Sequence, residues 1–279
     1  MKPTREFQLP TLTITASIKT DSGCVRETNE DNGRHTNNFV ADNGSDLGTL
    51  TIVADGMGGH SSGEIASEMA VTLISRYYYS STGESIVDSL RQAIEKANAE
   101  IYESAVEDLS LIGMGTTIVA LVIQDGVAYS AHVGDSRLYR LRGHDMQRMT
   151  VDHSQVMEMV QMGLISFDEA QHHEDKNIIL RAVGTQPSVE VEVSGPIGLE
   201  PGDQFLLCSD GLCDMADDEA IRRVWLGSSD IHNAADSLVA LAIEGGGEDN
   251  ITVGIVSVSS MVNAGVRDVP ATREFEVMA

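Results

Sequence analysis

The run Thr49-Leu50-Thr51-Ile52-Val53-Ala54-Asp55-Gly56-Met57-Gly58-Gly59-His60-Ser61-Ser62 decides how the chain is read. Leu50 to Ala54 is a short apolar, β-branched segment of the kind that forms a buried strand, and it stops at Asp55-Gly56 and Gly58-Gly59. A carboxylate is thereby placed at a strand end, among glycines whose bare backbone a metal ion or a phosphate can approach. A helix is expected next, because Ser61 and Glu64 make a capping box and Ile65, Ala66, Met69, Ala70, Leu73, Ile74 and Tyr77 form one apolar stripe. Taken alone, the stretch is equally well a tight strand-to-helix turn that begins with an acid.

On the N-terminal side, residues 1–10 carry two prolines and no pattern and read as an arm. Thr11 to Lys19 alternates apolar and hydroxyl side chains as a half-buried strand does, and the polar stretch Gly23 to Asn32 reads as a loop. On the C-terminal side a second helix is expected over Glu84 to Ser104, with Ile86, Leu90, Ala93, Ala97 and Ile101 on one face. Two long helices in succession followed by many strands argue for helices packed over a sheet, not for alternating βαβ units.

Thr116 to Ile123 and Val127 to Val133 form a hairpin around Gln124-Asp125-Gly126, and Arg137 to Leu141 continues as a strand after Gly134-Asp135-Ser136. From Asp152 to Gly184 the pattern changes to short helical fragments, a small insertion over the sheet. Its three histidines lack the i, i+4 spacing of a zinc site. Strands are expected at Ser188 to Val193, Gln204 to Cys208 and Ile251 to Val258, with a helix at Ile231 to Ile243. The organisation is then an arm (1–10), one domain (11–258, with the insertion at 152–184) and a tail (259–279).

With 279 residues, 42% of them apolar, the chain can bury a sizeable core. Lys+Arg 18 against Asp+Glu 43 gives a net charge of -25, which repels nucleic acid and anionic membrane. No apolar run approaches the ~20 residues of a membrane span. Cys24, Cys208 and Cys213 are odd in number without a C-x-x-C, and no basic-then-apolar leader opens the chain, so a reducing cytoplasm is the expected compartment. The cysteines read as small core hydrophobes.

Four times an acid stands where an apolar strand meets a turn: Asp55, Asp135, Asp210, and Asp249 just before Ile251. One such acid is an ordinary turn residue. Four at the mouths of buried strands would, if those ends converge, repel one another and suffer desolvation. Hard, oxygen-liking divalent cations relieve that repulsion, and Mg²⁺ or Mn²⁺ suits carboxylates better than zinc does here. Two ions ~3.5 to 4 Å apart would lower the pKa of a shared water and hold it in line with a phosphorus, with Arg26 as a fork for phosphate oxygens. Neither a G-x-S-x-G elbow nor a Gly-Lys-Ser/Thr P-loop competes.

In this order the motifs resemble those of the bacterial metal-dependent Ser/Thr protein phosphatases of the 2C type, the PPM family. They are Val25-Arg26-x-x-Asn29-Glu30-Asp31-Asn32, Val53-Ala54-Asp55-Gly56-Met57-Gly58-Gly59-His60, Gly113-Met114-Gly115-Thr116-Thr117, His132-Val133-Gly134-Asp135-Ser136-Arg137, Asp152-His153-Ser154, Leu207-Cys208-Ser209-Asp210-Gly211-Leu212 and Asp249-Asn250-Ile251-Thr252-Val253. Each is weak alone; together, over residues 11–258, they are specific.

The resemblance implies an α+β fold, a four-layer α-β-β-α sandwich of two antiparallel sheets flanked by helix pairs. It also implies hydrolysis of phosphoserine and phosphothreonine in proteins at a binuclear Mn²⁺ or Mg²⁺ centre, opposing a Ser/Thr kinase, by a monomer. Asp55 would bridge two metals, Gly56 contribute its carbonyl, Asp210 and Asp249 hold one metal, and Glu30 and Asp31 support the other side. Arg26 matches the phosphate-binding arginine, Asp135 a ligand of a third, weaker metal to which Asp214 could contribute, and the 152–184 insertion a flap over the site. One departure stands out: Met57 occupies the position of the histidine that serves eukaryotic members as general acid, and His60 lies three residues on, so a water held by the metal is the candidate acid. The competing readings are a scaffold domain that kept the fold and a hydrolase of small phosphoesters.

Overall fold

A computed structural model describes residues 12–37, 47–58, 62–81 and 85–260. The expected arm, His60, the Ser61 half of the capping box and most of the tail lie outside the described residues.

Two antiparallel sheets carry the fold. In the first, β1 (Leu12–Asp21), β11 (Ile251–Ser260), β10 (Gln204–Cys208), β7 (Arg137–Arg142) and β8 (Asp145–Arg148) lie in that order. In the second the order is β2 (Asp31–Thr36), β3 (Thr49–Met57), β5 (Ile118–Gln124), β6 (Val127–Val133) and β9 (Glu192–Gly198), with β4 (Gly115–Thr116) paired to the end of β3. Helices α1 (Ser62–Tyr79) and α2 (Ile86–Glu107) cover the second sheet; α5 (Asp210–Cys213), α6 (Asp218–Gly227) and α7 (Ile231–Glu244) cover the first.

The strand alternation assigns the layers. Leu50, Ile52 and Ala54 of β3 pack with Ile118, Ala120 and Val122 of β5 against α1 and α2. Their neighbours Val53, Val119 and Leu121 turn the other way and meet Phe205, Leu207, Val256 and Val258 between the sheets. Both faces of the central strands are therefore buried, which is why antiparallel strands here read as continuous apolar runs. This is the expected four-layer α-β-β-α sandwich.

Several expectations shift. β2 begins at Asp31, inside the stretch read as loop, because the ladder with β3 sets Asp31 opposite Asp55 although its residues are polar. The strand expected over Ser188 to Val193 starts only at Glu192, opposite His132 at the end of β6. Val191 does bury, and Val189 partly, against the α1 and α2 core, outside any strand. The hairpin forms as expected, with Asp125 and Gly126 both at positive φ (50 and 78°). The 152–184 insertion contains α3 (Gln155–Gln161) and α4 (Phe167–Gln171), each capped by a serine, Ser154 and Ser166.

Candidate metal centre

The topology brings the ends of β3, β6 and β10 and the start of β11 to one rim. Asp55 ends the core-facing part of β3, Asp135 sits where the chain crosses from β6 to β7 in the other sheet, and Asp210 opens α5 after β10. Asp249 immediately precedes β11, and Asp31 faces Asp55 across the β2–β3 ladder. Local bonds fix each position. The Asp55 amide donates to Thr117 Oγ1 at 3.2 Å and its carbonyl accepts from the Thr117 amide at 2.8 Å. Ser209 Oγ donates to Asp31 Oδ2 at 2.7 Å and itself accepts from the Thr252 amide at 2.9 Å, locking the two sheets together beneath the rim. Gly56 is held so close to the Gly63 and Glu30 carbonyls that no Cβ fits.

Electrostatically the cluster is under tension. Burial pushes Asp31 up to about 7, with Asp210 and Asp249 adding repulsion. Burial likewise pushes Asp210 up to about 6, reinforced by Asp214 and Asp249. Asp55 and Asp135 are driven well above the ordinary carboxylate range, first by burial and then by neighbouring acids. Asp55 and Asp210 lie within each other's electrostatic reach, so neither can carry its charge without raising the cost of the other's. One oxygen each of Asp31, Asp135 and Asp210 is fully buried without a hydrogen-bond partner. Buried carboxylates without donors or cations are the costliest polar groups a fold can hold. An all-oxygen donor set of this charge fits Mg²⁺ or Mn²⁺.

The remaining expected residues ring this cluster. Glu30 is more open, its carboxylate taking the Gly63 amide at the start of α1, and partial burial raises its pKa. Arg26 is half exposed and its Nη2 donates to Asp249 Oδ2 at 2.7 Å. Asp214 lies one helical turn beyond Asp210 and pairs with Lys176 of the insertion at 2.7 Å, so it is brought near the rim but already has a cation.

Sequence reasoning passed over Asn250, whose side chain accepts from the Glu30 amide and donates to the carbonyls of Ser22 and Thr28. Asn250 thus ties the Arg26-to-Asp31 segment to the start of β11. Its place beside Asp249 in a quoted motif was the available signal. It also passed over the partners of Asp152: Arg137 Nη2 at 2.8 Å and Arg148, both largely buried.

His132, His153 and Glu192 form a second cluster that no spacing revealed, because β6, the insertion and β9 meet only in the fold. The two rings stack with centroids 4.6 Å apart. His132 Nε2 donates to the Val151 carbonyl at 2.9 Å; His153 Nδ1 accepts the Gly134 amide at 3.2 Å, leaving Nε2 to donate to Glu192. Both Nε2 atoms hold protons a metal would have to displace, so the cluster works as a clamp on the β6–β7 crossing.

A sandwich whose sheet ends gather five buried or half-buried aspartates at one rim defines the class of metal-dependent phosphoprotein phosphatases. The family described as Protein phosphatase 2C matches residues 28–240. The chain is 40% identical over 245 residues to the Serine/threonine phosphatase stp of Listeria monocytogenes, covering 86% of this chain and 94% of that one. Its fold superposes on the S. agalactiae serine/threonine phosphatase with a TM-score of 0.80 at 36% identity, over 88% of this chain and 99% of that one. It also superposes on the catalytic domain of the serine threonine protein phosphatase PstP in complex with 2 manganese ions, with a TM-score of 0.75 at 31% identity, over 90% and 100% of the two chains. The chain belongs to the protein phosphatase 2C family and is an enzyme of the metal-dependent Ser/Thr protein phosphatase class. Among the described residues no helix is long and apolar enough to cross a membrane.

Proposed function

We propose that the rim hydrolyses phosphoserine and phosphothreonine in proteins at a pair of Mn²⁺ or Mg²⁺ ions, with Asp55 between them, Asp210 and Asp249 on one side and Glu30 and Asp31 on the other. The observation that carries this is the set of buried, partnerless carboxylate oxygens on Asp31, Asp135 and Asp210. The manganese complex of the related PstP domain supports the choice of ion.

Bound there, divalent ions supply charge for the phosphoryl oxygens and lower the pKa of a water. The chain's own residues do the rest. Asp55, Asp31 and Asp210 give up protons on loading and supply fixed negative charge that needs no reorganisation during the reaction. Arg26, half exposed and hinged on Asp249, swings its planar fork to the phosphoryl group when substrate arrives. Asn250 and Ser209 hold the acid-bearing segments in register. Asp135 and Asp214 would hold a third, weaker ion, and Lys176, now paired with Asp214, would compete for that carboxylate.

Met57 offers the leaving oxygen no proton, so a water of the site would have to supply it. Exposed Leu164, Ile178 and Leu180 on the insertion give a protein substrate a surface that a small phosphoester does not use. The free cysteines suit a reducing cytoplasm, where a monomer would oppose a Ser/Thr kinase.

The test is phosphate release from a phosphothreonine peptide by the purified protein, with Mn²⁺ and with EDTA. Manganese-dependent release that EDTA abolishes supports the reading. Folded protein inactive with every divalent ion refutes it and favours a scaffold domain, and an aryl phosphate preferred over the peptide points to a small-molecule hydrolase.

A further inference from the structure

Cys208 and Cys213 bracket the rim's Asp210. Cys208 ends β10 and Cys213 ends α5, and their sulfurs lie 3.4 Å apart, both free thiols. Two features make this more than core packing. Cys213 is partly exposed and lines a cleft of about 230 Å³ that also reaches Asp135, Asp210 and Asp214, so a small oxidant can enter beside it. Cys208 is fully buried behind it, with its S–H against the Arg137 carbonyl at 3.9 Å. One cysteine borders the cleft and the other waits within reach, which is the arrangement of an attacking and a resolving thiol.

We propose that Cys208 and Cys213 are a reversible dithiol modification site, oxidised by hydrogen peroxide to an intramolecular disulfide that weakens metal binding at Asp210. The Cys213 sulfur attacks one peroxide oxygen, the O–O bond breaks, and a sulfenic acid and one water result. The Cys208 sulfur then attacks the sulfenic sulfur; the S–S bond forms, the S–O bond breaks, and the hydroxide leaves as a second water with the Cys208 proton. Two thiols lose two electrons and one peroxide becomes two waters.

A disulfide needs the sulfurs about 2 Å apart. Closing from 3.4 Å draws α5 toward the end of β10, and Asp210 is the first residue of that four-residue helix. The Gly211 Cα already abuts the Asn250 carbonyl so closely that no Cβ fits, so α5 cannot move without disturbing the Asp249-Asn250 side of the rim. The link to metal rests on the function proposed above; the thiol chemistry does not.

The experiment treats Mn²⁺-loaded Cys24→Ser protein with graded hydrogen peroxide, measures Mn²⁺ affinity by calorimetry, and counts thiols in unfolded aliquots by maleimide labelling and intact mass. Expected are the loss of two hydrogens, no label on the peptide holding residues 208 and 213, a fall in Mn²⁺ affinity of about tenfold or more, and full recovery with dithiothreitol. Cys213→Ser, which leaves basal turnover in place, keeps Cys208 labelled and its affinity unchanged under the same peroxide. Persistent labelling of both thiols, or a sulfinic acid on Cys213 with Cys208 still free, overturns the proposal. So does a disulfide that leaves Mn²⁺ affinity where it was. Loss of phosphatase activity in all samples, with the thiol result intact, would count against the phosphatase reading alone.

Discussion

Two groups of acids reach one cleft in this fold, Asp152 in one and Asp135 and Asp210 in the other, and they are treated in opposite ways. Asp152 is 6% exposed and receives two guanidinium groups, Arg137 at 2.8 Å and Arg148. Asp31 and Asp135 are as deeply buried and Asp55 and Asp210 partly so, yet Asp31, Asp135 and Asp210 each keep a buried oxygen with no partner. Among the described residues two basic side chains pair with Asp152 and none forms an ion pair with those four. The first group is a finished ion pair, whose value is that neither side is left alone. The second is half an interaction, and under the function proposed above a divalent cation completes it.

The sharpest way to break this contrast is to neutralise one acid from each group. Asp55→Asn should lower turnover about a thousandfold, the equivalent of several kcal/mol of lost electrostatic stabilisation, while the metal-free protein unfolds at the same or higher denaturant concentration. Asp152→Ala should do the reverse to stability. It strands two largely buried arginines and should cost about 3 to 5 kcal/mol in chemical denaturation. Equal destabilisation by both would erase the distinction.

pH separates the groups next. An unfolded chain releases carboxylate protons near pH 4, whereas the fold holds those of Asp31 and Asp210 up to about 7 and about 6. The folded state therefore binds more protons in that window, so metal-free stability should fall as pH rises from about 4 through about 7. Saturating Mn²⁺ should flatten the slope. A metal-free melting temperature that rises through the same window would contradict the assignment. A smaller effect is expected at the exposed edge: Arg26→Ala should cost about tenfold to a hundredfold in kcat/KM on a phosphopeptide and leave unfolding unchanged.

Much of this was legible in the chain. The apolar runs ending at Asp55, Asp135 and Asp210 announced strand ends with acids on them, and the paired helical stripes announced a layer over a sheet. The β2 strand was hidden because its residues, Asp31 to Thr36, are polar and join the sheet through backbone pairing with β3. The compensation of Asp152 was hidden for another reason. Arg137, Arg148 and Asp152 are close in sequence, but only the turn between β7 and β8 aims both guanidinium groups at one carboxylate. The His132, His153 and Glu192 clamp depends on the β6–β9 register, which no local pattern encodes.

The measurement that bears most directly on the account is a calorimetric titration of metal-free protein with Mn²⁺ near pH 6, repeated in buffers of different ionisation enthalpy so that protons released are counted. Two ions should bind with net proton release, and Asp55→Asn should lose the tighter one. Absence of binding, or binding without proton release that Asp55→Asn leaves unchanged, would mean that the partnerless acids are not a metal centre.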